Sequence, residues 1–239
     1  MIPSFLLRAP AKVCSAIACV LLLSACGDDG AGGMGGGSGG SPAGGAGGAA
    51  NEPIVTELTP DAPPLPGFSE CTVTITENLP EEGKTHVPVC THVDYGTNPP
   101  SSGNHWPVWA AFKTYVDPVP REMLVHDLEH GAVVLAYDCD GCTDVPQAFQ
   151  DAATTYGVDA LCATSAMGAE RSRIVITPDP LLDLPIGISA WRATYVATCI
   201  DRPSIDAFIE AHYGDGPERT CFEGKDPSDP STGVPDCSN

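Results

Sequence analysis

The sequence predicts an α+β fold: a single compact, disulfide-stapled domain with mixed strands and about three short helices. Three observations indicate this class. Several segments have the two-residue alternation of half-buried strands. Helix-like segments lie between them without the strict alternation of an α/β fold. The chain also contains eleven cysteines and 24 prolines, which suits a loop-rich domain held together by disulfides.

The first 25 residues have the features of a secretory signal. Two cations, Arg8 and Lys12, precede an apolar stretch at 13–23 that is too short to span a bilayer as a helix. Small residues then run into Cys26 in a pattern that resembles the lipobox of bacterial lipoproteins. We expect a lipoprotein signal peptide at 1–25 and a palmitate-bearing Cys26; an uncleaved membrane anchor is the alternative. Either interpretation places the protein in the cell envelope, where it faces the periplasm or the cell exterior. The anchoring membrane is the inner or the outer one.

The rest of the chain divides into three segments. Residues 26–50 contain the lipid site followed by almost only Gly, Ala and Ser, which have little to bury and predict a flexible tether. Residues 51–221 have the size of one domain and predict the globular part. Residues 222–239 are polar and rich in proline, and they predict an extended tail.

The formal net charge is −20 at pH 7. Binding to nucleic acid needs basic patches, so this charge excludes nucleic-acid partners. The negative charge as a whole is explained by solubility and by repulsion from other polyanions. Attraction of cations is the more specific alternative.

Eight cysteines remain after the predicted lipid site. In an exported domain an even set indicates up to four disulfides, although their connectivity does not follow from sequence. The eight are Cys71, Cys90, Cys139, Cys142, Cys162, Cys199, Cys221 and Cys237. We expect Cys221 and Cys237 to pair and to staple the tail. The C-x-x-C formed by Cys139 and Cys142 favours a structural bridge over a redox dithiol, because six other cysteines are available for structural disulfides.

Four segments predict strands. Residues 71–76 alternate apolar and polar side chains, and 131–138 and 173–177 are rich in strand-forming residues. Residues 188–199 have the pattern of one longer strand. Its shared face comprises Trp191, Ala193, Tyr195 and Ala197.

Three segments predict helices, at 121–130, 144–157 and 201–214. Each ends at or just before a glycine, the residue that most readily takes the left-handed conformation closing a helix. The second and third begin at an aspartate cap and carry a proline in the first turn. The glycines are Gly131, Gly157 and Gly214, the caps Asp144 and Asp201, and the prolines Pro146 and Pro203.

The first helical segment carries the candidate site. Its stretch LVHDLEHGAV places His126 and His130 four residues apart, with Glu129 beside the second histidine. Positions i, i+3 and i+4 share a helix face, so two imidazoles can converge on one ion. H-x-x-E-H is also the order found in inverted zinc peptidases. The alternative is an amphipathic helix whose histidines only make hydrogen bonds. Met123, one turn earlier, suits either a copper ligand or the core.

A second segment, YGTNPPSSGNHWPVW at 95–109, places a histidine in a rigid, proline-rich loop. Such a loop is a costly place for His105 unless something fixes the side chain. His105 is the candidate for a third nitrogen beside His126 and His130, the three-histidine set that leaves an open position on zinc. A turn whose aromatic residues cover the core is the alternative.

Several stretches carry a resemblance to a known family. GKTHVPVCTHVDYGTNPPSSGNHWP, LVHDLEHGAVVLAY, IVITPDP, LPIGISAW and FIEAHYGDGPE resemble the bacterial family called domain of unknown function 3105, over about 83–218. Its pattern falls on His86, Tyr95, Pro99, Pro100, Ser102, Gly103, His105, His126, Glu129, His130, Gly131 and Tyr137. His92, His212 and most cysteines fall outside the pattern. In AWRAT the tryptophan is followed by Arg192, where the family usually has glycine. The resemblance implies an exported, membrane-tethered domain and no established activity.

Four histidines and a glutamate on this pattern are what a metal centre requires. We expect His105, His126 and His130 to be ligands. We expect His86 or Glu129 to be the fourth ligand or a group that orients a ligating histidine. Imidazoles favour copper or zinc over magnesium or calcium.

These residues support one leading function and three alternatives. The leading function is a lipid-anchored protein that binds copper or zinc for sequestration or delivery. A zinc hydrolase with Glu129 as general base is the second. A metal-free scaffold that docks to an unknown envelope protein is the third. The fourth is a thiol oxidoreductase, which needs Cys139 and Cys142 free.

Overall fold

The computed structural model of the protein describes residues 52–139, 141–163 and 172–237. The predicted signal peptide at 1–25, the lipid site Cys26 and the tether at 26–50 lie outside these residues. Those expectations, and the division of the chain into four segments, stay predictions. Among the helices described, none has both the length and the apolar character needed to cross a bilayer.

A mixed sheet of six strands organises the described part of the chain. The strands are Ile54–Leu58 (β1), Val73–Glu77 (β2), Val133–Tyr137 (β3), Ile174–Pro178 (β4), Ile186–Ala190 (β5) and Ala193–Ala197 (β6). Their order is β1-β2-β6-β5-β3-β4. Neighbours are antiparallel except β3 and β4, which are parallel and register Val133 opposite Ile174. The α+β prediction is confirmed.

Helices cover both faces of this sheet. They are Arg121–Glu129 (α1), Asp144–Tyr156 (α2), Ala160–Ala163 (α3) and Arg202–His212 (α4), with a 3₁₀ turn at Pro230–Thr232. On β3, Val133 and Leu135 point into one core with α2 and α4, whereas Val134 and Ala136 point into another core with α1. Because both faces are buried, β3 is a continuous apolar run rather than an alternating one.

Two local predictions were wrong. Residues 188–199 are not one strand but the end of β5, a two-residue turn and β6, with Arg192 in the left-handed region at φ 62°. The alternating pattern continues through this turn, which lacks the usual Gly, Asn or Asp, so the sequence hid it. Helix α2 is capped at Thr143, and Asp144 is its first residue rather than its cap. Strand β1 and the single turn of α3 were not predicted.

All eight cysteines of the described residues form disulfides. The pairs are Cys71–Cys199, Cys90–Cys237, Cys139–Cys142 and Cys162–Cys221. The prediction of up to four bridges is confirmed, but the expected Cys221–Cys237 pair is wrong. The tail instead runs beside Trp109. The Lys225 N–H donates to the Trp109 carbonyl, and the Lys225 carbonyl accepts from the Ala111 N–H. The tail then continues to its disulfide with Cys90. Four disulfides indicate an oxidising compartment outside the cytoplasm.

Candidate metal centre

Helix α1 is buried on nearly all sides, from Glu122 to Glu129. A buried ionisable side chain needs a partner, because desolvation otherwise penalises it heavily. Glu122 accepts a hydrogen bond from the Val93 backbone N–H at 3.0 Å, and Asp127 accepts one from Ala110 at 3.2 Å. His126 and Glu129 instead face the loop that carries the third candidate ligand.

Both ends of α1 are held in place. At the start, Arg121 donates to the Asp179 carboxylate and to the Asn98 side chain, each at 2.8 Å. At the end, Gly131 takes φ 77°, and the Arg173 guanidinium donates to the His130 carbonyl at 2.6 Å. The helix therefore presents its polar residues in a fixed orientation.

The loop at 95–109 delivers His105 to the interior. Gly103 takes φ 131° and packs so closely under the Tyr95 ring that a Cβ there would lie 2.9 Å from Tyr95 Cε1. The Tyr95 hydroxyl donates to the Asn104 carbonyl at 2.9 Å. His105 also pairs with the extended segment around His86, since its carbonyl accepts from the Val87 N–H at 2.8 Å.

Four predicted site residues converge where the loop meets α1. One ligand atom from each of His86, His105, His126 and Glu129 lies within 4.8 Å of all the others. Their imidazole rings are 4.7 to 5.1 Å apart, centroid to centroid. Three of these residues are buried, and His86 is exposed. Two atoms that share a tetrahedral zinc ion lie about 3.3 Å apart, so the group must contract by on the order of 1 Å to hold one.

Backbone carbonyls fix the tautomers of the two buried histidines. His105 Nδ1 lies 2.9 Å from the Gly103 carbonyl oxygen, and His126 Nδ1 lies 2.6 Å from the Trp106 carbonyl oxygen. A carbonyl only accepts, so Nδ1 carries the proton in both rings and Nε2 of a neutral ring has a free lone pair. This is the arrangement by which proteins orient metal-binding histidines.

One of these nitrogens is left unsatisfied. His105 Nε2 is buried and has no hydrogen-bond partner among the described residues. It lies 3.0 Å from Glu129 Oε2, within ion-pair distance, but the pair does not meet the full geometry of a hydrogen bond. Buried polar atoms are satisfied in the great majority of cases, so the exception calls for an explanation.

Electrostatics keep the helix histidines neutral. Burial, with a contribution from the nearby His130, lowers the pKa of His126 to about 3. Burial also lowers the pKa of His130 to about 4, although Glu218 opposes the shift. Burial raises the pKa of Glu129, and His105 opposes that change. At neutral pH both helix histidines are therefore neutral, and each has one ring nitrogen that carries a lone pair.

His130, expected to be a ligand, adjoins the group of four without belonging to it. Its ring centroid lies 4.6 Å from that of His126, and its Nε2 lies 3.4 Å from Glu218 Oε2. The Trp109 ring covers both helix histidines, at 5.0 Å from His126 and 4.9 Å from His130.

Comparison with known proteins identifies the family. The profile of a family described as protein of unknown function (DUF3105) matches residues 86–223. The chain belongs to this family. Neither the curated proteins nor the solved structures gave a significant match. The DUF3105 match begins at His86 and extends past Glu218, so it contains the whole cluster.

The other residues that the sequence brought into consideration lie away from the cluster. Tyr137 packs against Phe149 in the core that contains α2. Met123, considered as a copper ligand, is fully buried in the apolar core beside α1. His92 and His212, which lie outside the pattern, pair with other carboxylates, Glu122 and Glu77 among them.

Sequence patterns did not assign a role to Trp109, Asp127 or Glu218. Signals for two of them were present: Trp109 closes the loop stretch that carries His105, and Glu218 ends the last stretch of the resemblance. Asp127 is fully buried, and its Oδ1 has no hydrogen-bond partner within the described part of the chain. Burial raises its pKa well above the usual range. Its position between two histidines gave no hint of that burial.

Proposed function

We propose that this protein binds one zinc or copper ion through His86, His105, His126 and Glu129, and holds it outside the cytoplasm for sequestration or delivery. One observation carries the proposal. The buried Nε2 of His105 lacks a hydrogen bond, although it lies 3.0 Å from the Glu129 carboxylate within the group of four ligand atoms. A shared cation satisfies both atoms at once.

The donor set favours these two metals. Three imidazole nitrogens and one carboxylate oxygen suit zinc and copper, whereas magnesium and calcium prefer sites made of oxygen atoms. A metal-free hydrogen-bond network is the competing explanation for buried histidines. Such a network would supply a partner for His105 Nε2, since an unsatisfied buried nitrogen costs about 1–3 kcal/mol.

The position of Glu129 favours binding over hydrolysis. A general base acts on a metal-bound water and stands beside the metal rather than in its ligand set. Glu129 offers an oxygen within the ligand group itself. The exposure of His86 favours a site that exchanges its ion, because this ligand can leave without opening the core.

Attachment to the membrane through Cys26 is part of the proposal. Its support is the signal-like segment at 1–25 and the lipobox-like residues before Cys26. The test is fractionation of cells that express the wild type or Cys26→Ser, with a labelled fatty acid. We expect label and membrane attachment in the wild type alone. An unlabelled wild type would contradict the lipid anchor.

Calorimetry tests the metal site. The full chain, exported so that its cysteines oxidise, is titrated with Zn²⁺ and with Cu²⁺. We expect tight binding by the wild type and at least tenfold weaker binding by His86→Ala, which replaces an exposed side chain and spares the core. His212→Ala is the control, because His212 is a partly buried histidine outside the group. Absence of binding by folded wild type, or equal affinities in His86→Ala, would contradict the proposal.

A further inference from the structure

We infer that His130 and Glu218 form a second, outer metal position beside the proposed centre, open to solvent and suited to a divalent transition metal. The inference rests on the proposed function, because the outer position adjoins the ion held by the group of four. The outer position gives a role to His130, which is not part of the inner group of four.

Neither ring nitrogen of His130 makes a normal hydrogen bond. The residue is only 3% exposed, and its Nδ1 is buried with no hydrogen-bond partner in the described residues. Its Nε2 lies 3.4 Å from Glu218 Oε2, beyond the usual length of an N–H···O bond. When His130 is neutral with its proton on Nδ1, its Nε2 lone pair faces the Glu218 carboxylate and is available for a cation.

The backbone holds Glu218 in place. Its N–H donates to the Glu129 carbonyl at 3.0 Å, and the Gly214 N–H donates to the Gly131 carbonyl at 2.9 Å. Between these two bonds the chain packs so tightly that a Cβ on Gly216 would lie 2.5 Å from the Glu129 carbonyl oxygen. The backbone of Glu218 is therefore held at the end of α1, which keeps its carboxylate within reach of His130.

The outer position is distinct from the inner one and reaches solvent. His130 does not share the 4.8 Å group, although its ring is only 4.6 Å from the His126 ring. The Glu218 side chain is 54% exposed, so water can complete the coordination of an ion there. Arg173, whose guanidinium donates to the His130 carbonyl, is paired with Asp159 at 2.9 Å.

Its ligand set makes the outer position the weaker of the two. Two protein ligands and solvent hold an ion less tightly than four protein ligands do. An ion bound at His130 and Glu218 lies next to the inner ligand His126, whose ring is 4.6 Å from that of His130. We therefore expect an ion to occupy the outer position transiently as it enters or leaves the inner centre.

Native mass spectrometry and calorimetry with Zn²⁺ on the exported full chain test this inference. We expect two ions per wild-type chain, the second bound more weakly. Glu218→Gln should keep the tight ion and weaken the second at least tenfold, and His130→Asn should do the same. Glu210→Gln, which replaces an exposed glutamate on α4, is the control and should keep both ions.

The outcomes separate the two proposals. A single ion in the wild type, or two ions of unchanged affinity in Glu218→Gln, would overturn the outer position and leave the inner centre standing. No ion in the folded wild type would overturn the proposed function itself.

Discussion

His105 Nε2 and Glu129 Oε2 lie 3.0 Å apart in the interior of this protein without a hydrogen bond between them. His105 comes from a loop and Glu129 from the last turn of α1, so two separate elements create the contact. The Nδ1 proton of His105 is engaged by the Gly103 carbonyl. When the ring is neutral, its Nε2 lone pair meets the carboxylate, and a cation shared by both atoms removes the resulting repulsion.

The Tyr95 hydroxyl should control metal affinity through the loop. Tyr95→Phe removes the bond to the Asn104 carbonyl, next to His105, and should weaken Zn²⁺ binding about tenfold. Tyr115→Phe is the matched control, because its hydroxyl donates to the Ala111 carbonyl at 2.8 Å. Both variants should lose about 1 kcal/mol of unfolding free energy. Equal zinc affinities in the two variants would refute the positioning role of Tyr95.

Trp109 should report copper binding. Its ring lies 5.0 Å from the His126 ring, so a Cu²⁺ ion at the centre should quench its fluorescence. The expected result is strong quenching at one equivalent in the wild type and in Trp191→Phe, and much weaker quenching in Trp109→Phe. Because Trp106 stays in every variant, the readout is the lost amplitude, and a quenched amplitude in Trp109→Phe as large as in the wild type would place the ion away from Trp109.

Gly131 should be critical for stability. Gly131→Ala forces a side chain into φ 77° and places its Cβ 2.8 Å from Arg173 Nη1 and 2.9 Å from the Gly214 carbonyl carbon. We expect a loss of about 2–3 kcal/mol in urea unfolding. Gly233→Ala separates the two causes, because Gly233 lies in the left-handed region at φ 73° but an added Cβ meets nothing within 4 Å. That control should lose only about 1 kcal/mol. Equal losses would show that crowding contributes nothing.

The Arg173–Asp159 pair should make stability depend on pH. Burial raises the pKa of Asp159, but hydrogen bonds from Tyr213 and Arg173 outweigh burial and hold the pKa below its usual value. The charged form is therefore favoured in the folded state. The resulting stability is present above the unfolded pKa of about 3.9 and is lost as the pH falls through the folded pKa.

Asp159→Asn tests this dependence. The variant should unfold with about 2 kcal/mol less free energy than the wild type at pH 7. The difference should shrink in urea titrations below about pH 4, where the wild-type carboxyl also becomes neutral. A difference that stays constant between pH 7 and pH 3 would contradict the assigned pKa direction.

The sequence predicted the elements that carry the site better than their mutual arrangement. Local pattern and the terminal glycine located α1, and the helical spacing placed His126 and His130 on neighbouring turns. Whether Glu129 or His130 lies in the ligand group with His126 depends on the rotation of α1 against β3. The pattern of one helix does not contain that rotation. The structure turns Glu129 toward His105 and turns His130 toward Glu218.

Long-range pairing accounts for what the sequence did not give. His86 reaches the cluster through an isolated bridge to His105, which no local periodicity encodes. The same holds for the disulfides, since Cys90–Cys237 joins residues 147 positions apart. The hairpin between β5 and β6 was hidden for a different reason. Arg192 occupies a left-handed turn position that sequence reasoning assigns to glycine.

X-ray absorption at the zinc edge identifies the atoms that bind the ion in the proposed centre. The exported full chain is loaded with one equivalent of Zn²⁺, and the scattering shells around the ion are measured. We expect about four nitrogen or oxygen neighbours at about 2.0–2.1 Å, with the outer-shell scattering of three imidazole rings. A shell of oxygen atoms without imidazole scattering, or a sulfur neighbour, would contradict it.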